Sequence, residues 1–340
     1  MRRDTLGLRV PARVHNHDCP LMDKVKRDTV MTDPNNERSF DAVESPPDEE
    51  GTIKLTWRDR LVEFGLDMGV AMACMFLAAL VFAAILIATI IVAEDSAPGL
   101  FESGSIAVVV LVIVSAAVGN ACGYLCFPYL TRFIFRGFEL QDDRLDRSVR
   151  KLLAVTGMDI TAETLYAMKG RTANAMVSGL FRKGRYIFFT DKLLEKMKED
   201  EILAIFAHEV AHIRHRHLFK MLLSGILWIC VIQIILYLID FNAYYDALDE
   251  SLKTWASGLI GGVNVWLVMV CVMLPLSRRN EYEADVTAAG WVGTECYSRA
   301  LYRLHQLNDR MKAPRKLARV FLTHPTLQDR LDRVAQLNSK

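Results

Sequence analysis

The sequence predicts a mainly α membrane protein, in which four transmembrane helices carry a cytoplasmic, mainly helical domain with a small β-sheet. Three observations predict it. Four apolar runs are each long enough to cross a bilayer, basic residues gather at particular flanks of those runs, and the remainder combines helical periodicity with a strand-like segment. The 340 residues are 52% hydrophobic, and 41 basic against 40 acidic side chains leave a formal net charge of +1. So even a balance gives no electrostatic reason to expect nucleic acid as a partner.

Residues 1–55 are polar and short of aromatics, closing on Pro46-Pro47-Asp48-Glu49-Glu50. They offer too little apolar surface to offset chain entropy, so a disordered extension is expected, without the apolar stretch of a signal peptide. Residues 56–137 hold two expected spans, at 68–93 and 106–130. Residues 138–217 form the first part of the folded domain, and 218–276 hold two further spans, at 218–239 and 255–276. Residues 277–340 complete the domain. A span needs about 20 helical residues, which every run supplies. Gln233 and Asn264 interrupt the last two runs and are expected to hydrogen-bond between helices, while Gly258, Gly261 and Gly262 would allow close approach.

Flanking charge sets the orientation. Lys54, Arg58 and Arg60 precede the first span, and Arg132 and Arg136 follow the second. Arg214 and Arg216 precede the third, and Arg278 and Arg279 follow the fourth. The turn from Glu94 to Glu102 has no Lys or Arg, and the turn from Asp240 to Thr254 sets Asp240, Asp246, Asp249 and Glu250 against Lys253 alone. Positive flanks stay in the cytoplasm, which places both termini and 131–217 there.

Within the cytoplasmic part, Leu145 to Val155 has helical periodicity and Tyr186 to Thr190 has strand composition. Thr190-Asp191 starts a short helix, and another begins near Asp200 and runs on through the histidines. Glu281 to Gly290 and Leu327 to Leu337 complete the helices. Of the seven cysteines, Cys74, Cys122, Cys126, Cys230 and Cys271 lie in apolar stretches and read as free buried thiols, with no spacing that suggests a disulfide framework or a metal cluster.

The chemistry concentrates in His208-Glu209-Val210-Ala211-His212. Helical residues four apart differ by only about 40° around the axis, so the imidazoles project side by side as two nitrogen ligands for one zinc ion. Glu209 can then reach a water at the metal without taking a coordination position, which is the HExxH arrangement of metallopeptidases. A third protein ligand is needed. Six residues after His212, where another histidine would suit, stands Leu218. His215 shares the face of His208 and His217 lies nearly opposite, and both read as basic caps at the membrane end of the helix. Glu281 is the better candidate, with Asp285 one turn on to accept a hydrogen bond from a ligand imidazole.

These segments, together with Asn174-Ala175-Met176-Val177-Ser178-Gly179 and with Thr323-His324-Pro325 and Arg330, resemble the peptidase family of HtpX-type quality-control proteases and CAAX prenyl proteases, over residues 138–335. The resemblance implies a gluzincin-like zinc-peptidase domain. One Zn2+ per chain would be held by His208, His212 and Glu281, with Glu209 as general base and Asp285 steadying a ligand. It further implies an oxyanion role for His324 near Arg330, and an edge hairpin around Asn174, Ala175 and Gly179 on which substrate adds as a strand. Two spans before the histidines and two between them and Glu281 look like the HtpX arrangement. The expectation is a multi-pass endopeptidase of the inner cell membrane, acting on membrane or misfolded proteins at the cytoplasmic side. A prenyl-protein endopeptidase and a catalytically silent membrane scaffold are the alternatives. Protein substrates and the lipid bilayer are the expected partners, and the oligomeric state stays open.

Overall fold

The computed structural model describes residues 80–89, 91–92, 106–134, 138–139, 143–158, 165–170, 172–182, 184–239, 244–245, 247–308 and 324–337. The extension expected over 1–55 and most of the first span lie outside the described residues; of that span a short apolar helix, α1 (Leu80–Thr89), is described. The elements that follow are α2 (Ile106–Ile134), β1 (Phe138–Glu139), α3 (Asp143–Thr156), β2 (Leu165–Met168), β3 (Ala175–Ser178) and β4 (Tyr186–Thr190). Then come α4 (Asp191–Lys196), α5 (Glu199–Arg214), α6 (His217–Leu238), α7 (Glu250–Val268), a π-helical turn (Met269–Met273), α8 (Leu274–Val292), α9 (Thr294–Leu307) and α10 (Leu327–Ala335).

Among the described residues, three helical stretches are long and apolar enough to cross a membrane: Ile106–Ile134, His217–Leu238 and Leu259–Val292. On α2 the buried residues Leu111, Ser115, Gly119 and Gly123 recur every fourth position, and α2 packs along α6. Small side chains in such a stripe let two backbones come close where no water drives the association. Trp228 on α6 donates to Asn264 on α7 at 2.7 Å, so that amide does join two helices. Among the described residues, a Cβ on Gly261 or Gly262 would meet no atom within 4 Å. The opposite faces leave Leu227, Val231, Leu259, Val263 and Trp266 exposed, a belt whose natural cover is lipid.

Two boundaries also differ from the sequence reading. The fourth apolar run and the helix that carries Glu281 form one continuous rod from Glu250 to Val292. Its π turn lies just before Pro275, which has no N–H to give and crowds the carbonyl one turn back, so a wider turn takes up the mismatch. The helix expected to run through all the histidines instead stops at Arg214 and restarts at His217, with Arg216 left-handed at φ 53°. The described cysteines Cys122, Cys126, Cys230, Cys271 and Cys296 are free; against expectation Cys122, Cys126 and Cys230 are only partly buried and Cys271 is exposed, while Cys296 is buried.

The sheet has the order β1-β2-β4-β3, with β2 parallel to β4 and both outer pairs antiparallel. β3 is therefore an edge. Alternation of side chains along β4 divides its work between two faces. Ile187 and Phe189 join the main core with Leu203, Phe206 and Val210 of α5 and Tyr297 and Leu301 of α9. Phe188 joins Tyr166 and Met168 on the other face. There Tyr129 of α2 meets Tyr186 edge-on at 6.0 Å, and the Arg132 guanidinium lies 4.7 Å over the Tyr166 ring. One sheet face thus rests on the end of a membrane-length helix while the other backs the helix of the histidines. Thr190 starts α4 as the sequence suggested, its hydroxyl accepting from the Leu193 N–H at 3.3 Å.

Candidate active site

Both histidines of the 208–212 pentapeptide stand on α5, which is buried along most of its length. One helical turn brings their rings to 4.7 Å between centroids, and their Nε2 atoms converge to 3.0 Å. α8 supplies the third group, Glu281, whose Oε2 lies 3.6 Å from His208 Nε2 and whose Oε1 lies 3.5 Å from His212 Nε2. Ligands held about 2.0–2.2 Å from one tetrahedral ion stand about 3.3–3.6 Å from each other. The separations here lie close to that edge length, the imidazole pair slightly inside it. Two imidazoles and one carboxylate are also the donor set that zinc prefers at a site with an open fourth position, so the residues present fit the ion.

The far nitrogens of both imidazoles are held as well. His208 Nδ1 lies 3.1 Å from Asp285 Oδ1 and 2.9 Å from the Tyr297 hydroxyl. That hydroxyl donates to Asp285 Oδ1 at 2.5 Å, and Arg330 forks onto the same carboxylate, Nε to Oδ2 at 2.8 Å and Nη2 to Oδ1 at 2.6 Å. Asp285 and Tyr297 have no solvent exposure, a position that a carboxylate holds only when paired and fully hydrogen-bonded. His212 Nδ1 lies 2.7 Å from His217 Nδ1.

Burial pushes both imidazoles down. For His208 the Asp285 and Glu281 carboxylates outweigh burial and lift it to about 9, whereas His212, beside the charge of His208, stays well below the usual imidazole range. One positive charge therefore suits the pair. A divalent cation competes with that proton for the same Nε2 atoms, which ties metal affinity to pH. Burial also raises the Glu209 carboxyl, countered in part by the charge of His208 and by a hydrogen bond from the Val177 backbone.

A cleft of about 410 Å³ opens over these groups, lined by Glu209, His208 and His212 on one side and by Asn174, Ala175, Met176 and Val177 on the other. The Asn174 main chain is engaged with Thr190, accepting from its N–H at 2.9 Å and donating to its hydroxyl at 2.8 Å. Because main-chain groups alternate in direction along an antiparallel strand, Ala175 and Val177 turn theirs away from β4, the Val177 N–H towards Glu209. Asn308 fixes the start of this edge, accepting from the Ala173 N–H at 2.9 Å and donating to the Ala173 carbonyl at 2.7 Å.

The structure thus brings together His208, His212, Glu281, Glu209, Asp285 and Arg330, with Asn174 and Ala175 across the cleft. His324 stands at the rim with its side chain 61% exposed and Nδ1 3.1 Å from Glu281 Oε1. Gly179 lies in the β3–β4 turn instead of the cleft, at φ +99°, where a Cβ would stand 2.3 Å from the Gly184 carbonyl oxygen. His215 and His217 do more than cap a helix: each meets Glu283, His215 Nδ1 at 3.0 Å from Oε1 and His217 Nε2 at 3.2 Å from Oε2. Tyr297, Glu283 and Asn308 were not found from sequence. Tyr297 and Asn308 carry no spacing signal, and Glu283 stands between Glu281 and Asp285 but two positions from Glu281, on another helix face.

The profile of peptidase family M48 matches residues 139–338. A Protease HtpX homolog of Nitrosomonas eutropha is 26% identical over 203 residues, spanning 55% of this chain and 69% of that protein. Protease HtpX of Pseudomonas putida is 26% identical over 47% of this chain and 60% of its own length. A Protease HtpX homolog of Pyrobaculum aerophilum is 28% identical over 55% of this chain and 53% of its own length. Among solved structures, that of S. mikatae Ste24p superposes with a TM-score of 0.57 over 83% of this chain and 67% of that one, at 20% identity, a likeness of fold.

Proposed function

Since this chain belongs to peptidase family M48 and is a metallopeptidase of a membrane-protein fold, we propose that it is a zinc-dependent integral-membrane endopeptidase. It cuts exposed segments of membrane or misfolded proteins on the cytoplasmic side. The observation that carries this reading is the convergence of His208 Nε2, His212 Nε2 and the Glu281 carboxylate on one point, with Glu209 beside it and an edge strand opposite.

His208, His212 and Glu281 would hold the ion, and when bound it supplies Lewis acidity at the scissile carbonyl. Glu209 takes the proton of the attacking water and delivers it to the leaving amine. Its buried position, which favours the protonated form, suits the second half of that exchange. An extended substrate pairs with the outward main-chain groups of Ala175 and with the Val177 carbonyl, and the Val177 N–H that reaches Glu209 keeps this edge beside the scissile bond. His324, at the rim, donates to the developing oxyanion. Helices α6 and α7 lie in the chain between the histidines and Glu281, so the site stays at the membrane surface, next to the cytoplasmic loops of membrane proteins. Four spans, counting the run at 68–93, and the basic flanks set that side.

Purified in detergent, the wild type and Glu209→Gln are both expected to bind about one zinc per chain. Only the wild type should degrade an unfolded protein. Equal cleavage by both would remove Glu209 as the base and with it this mechanism.

A further inference from the structure

The two ligand imidazoles are backed in different ways, and the second backing has no assigned role. His208 leans on Asp285, Tyr297 and Arg330. His212 leans on His217, Nδ1 to Nδ1 at 2.7 Å, and His217 Nε2 in turn lies 3.2 Å from Glu283 Oε2. Glu283 also accepts from Lys220 Nζ at 3.0 Å. His217 is 3% exposed, so this chain of contacts passes through the interior, from half-exposed Glu283 to the ligand nitrogen.

Resting on the metallopeptidase reading above, we propose that His217, braced by Glu283, is the positioning residue that fixes the tautomer and ring orientation of His212 toward the metal. Proton bookkeeping selects one arrangement. A neutral imidazole that binds metal through Nε2 carries its hydrogen on Nδ1, so His212 must donate there and His217 must accept. His217 then carries its own hydrogen on Nε2, where Glu283 accepts it. Every group in the chain is satisfied, with no proton to spare.

The backbone is bent to make this contact. On one uninterrupted helix, residues five apart differ by about 140°, and His217 would face away from His212. The break after Arg214, with Arg216 at φ 53°, carries His217 back under the ligand ring, to 4.8 Å between ring centroids. A non-glycine residue in that conformation is disfavoured and persists where surrounding contacts require it.

His215, His217 and Glu283 also lie close enough together to suggest a cation site of their own. Two observations oppose that use. The Lys220 ammonium already neutralises Glu283, and a cation on His217 Nε2 would displace the hydrogen that lets Nδ1 accept from His212.

The test measures zinc affinity of the full chain in detergent by competition with a chromogenic chelator, beside thermal unfolding in excess chelator and the visible spectrum of the cobalt-loaded protein. His217→Phe keeps a ring and removes both nitrogens. It is expected to weaken zinc roughly 10–100-fold and to shift the cobalt bands, with one metal still bound at saturation. Should His217→Phe fail to fold, Glu283→Ala reads the same chain from its solvent end, with a smaller loss expected. In the double variant the loss should be no greater than in His217→Phe alone, because Glu283 acts through His217. Unchanged zinc affinity in folded His217→Phe, or in Glu283→Ala where only that variant folds, would overturn the proposal while leaving the metallopeptidase reading intact. Two zinc ions per wild-type chain, one of them lost in His215→Ala, would overturn it in favour of a second cation site. A wild type that binds no zinc would end both readings.

Discussion

Asp285 shows what a single side chain has to satisfy at this site. Its carboxylate has no exposure, accepts two hydrogen bonds from Arg330 and one from Tyr297, and faces His208 Nδ1. In so dry a position the charge is tolerable only while its partners remain. Arg330→Met would leave that charge buried without its fork, at a cost of about 3–5 kcal/mol. The expected result is a much lower unfolding midpoint together with weakened zinc binding. A midpoint within a degree of wild type would mean that the pair contributes little to the folded state. Asp285 was legible in the sequence because it lies one helical turn from Glu281, and Arg330 only through the family resemblance. Tyr297 was not legible, since nothing in Thr294 to Leu307 distinguishes a tyrosine that fills the core from one whose hydroxyl serves a ligand.

At the scale of elements, two irregular joints decide where the chemistry stands. The π turn lets a membrane-length helix pass Pro275 and continue unbroken to Glu281. The left-handed Arg216 ends α5 and turns α6 so that His217 meets His212. Arg216→Gly relieves the steric cost of positive φ and should leave zinc affinity within about twofold of wild type. Arg216→Val should lower stability by about 1–2 kcal/mol, because a β-branched side chain fits that conformation worst. Parallel thermal melts of the two variants check this, and equal melts would show that the joint is not strained. Periodicity could not reveal either joint. Apolar spacing reads the same through a helix and through a single residue that breaks it, and a proline followed by more helical sequence indicates a kink without saying how it is absorbed.

On the scale of the whole molecule, the site is where two halves of different solvation meet. The stretches Ile106–Ile134, His217–Leu238 and Leu259–Val292 present apolar faces that a bilayer would cover. The sheet rests on the end of α2 through Tyr129 and Arg132, and its free edge looks across the cleft at α5. The flanking charges predict that the loop 240–254 lies on the opposite side of the membrane from residues 138–217. In a background freed of native cysteines, Asp249→Cys should react with an impermeant thiol reagent in intact cells, and Lys192→Cys only after permeabilisation. The reverse pattern would invert the topology and place the active site outside.

Composition and spacing by themselves determined the apolar runs and the 208–212 motif, because each is a local pattern, whereas Glu281 meets the histidines only by the packing of two helices. A run needs only length, and a ligand pair needs only one helical turn. Tertiary structure alone decided what braces those imidazoles. Tyr297, His217, Glu283 and Asn308 reach the site through contacts between distant segments or across a backbone break, and no periodicity encodes such a meeting. The physical reason is that a buried imidazole needs both nitrogens satisfied, and which side chain satisfies the second is settled only when the helices pack.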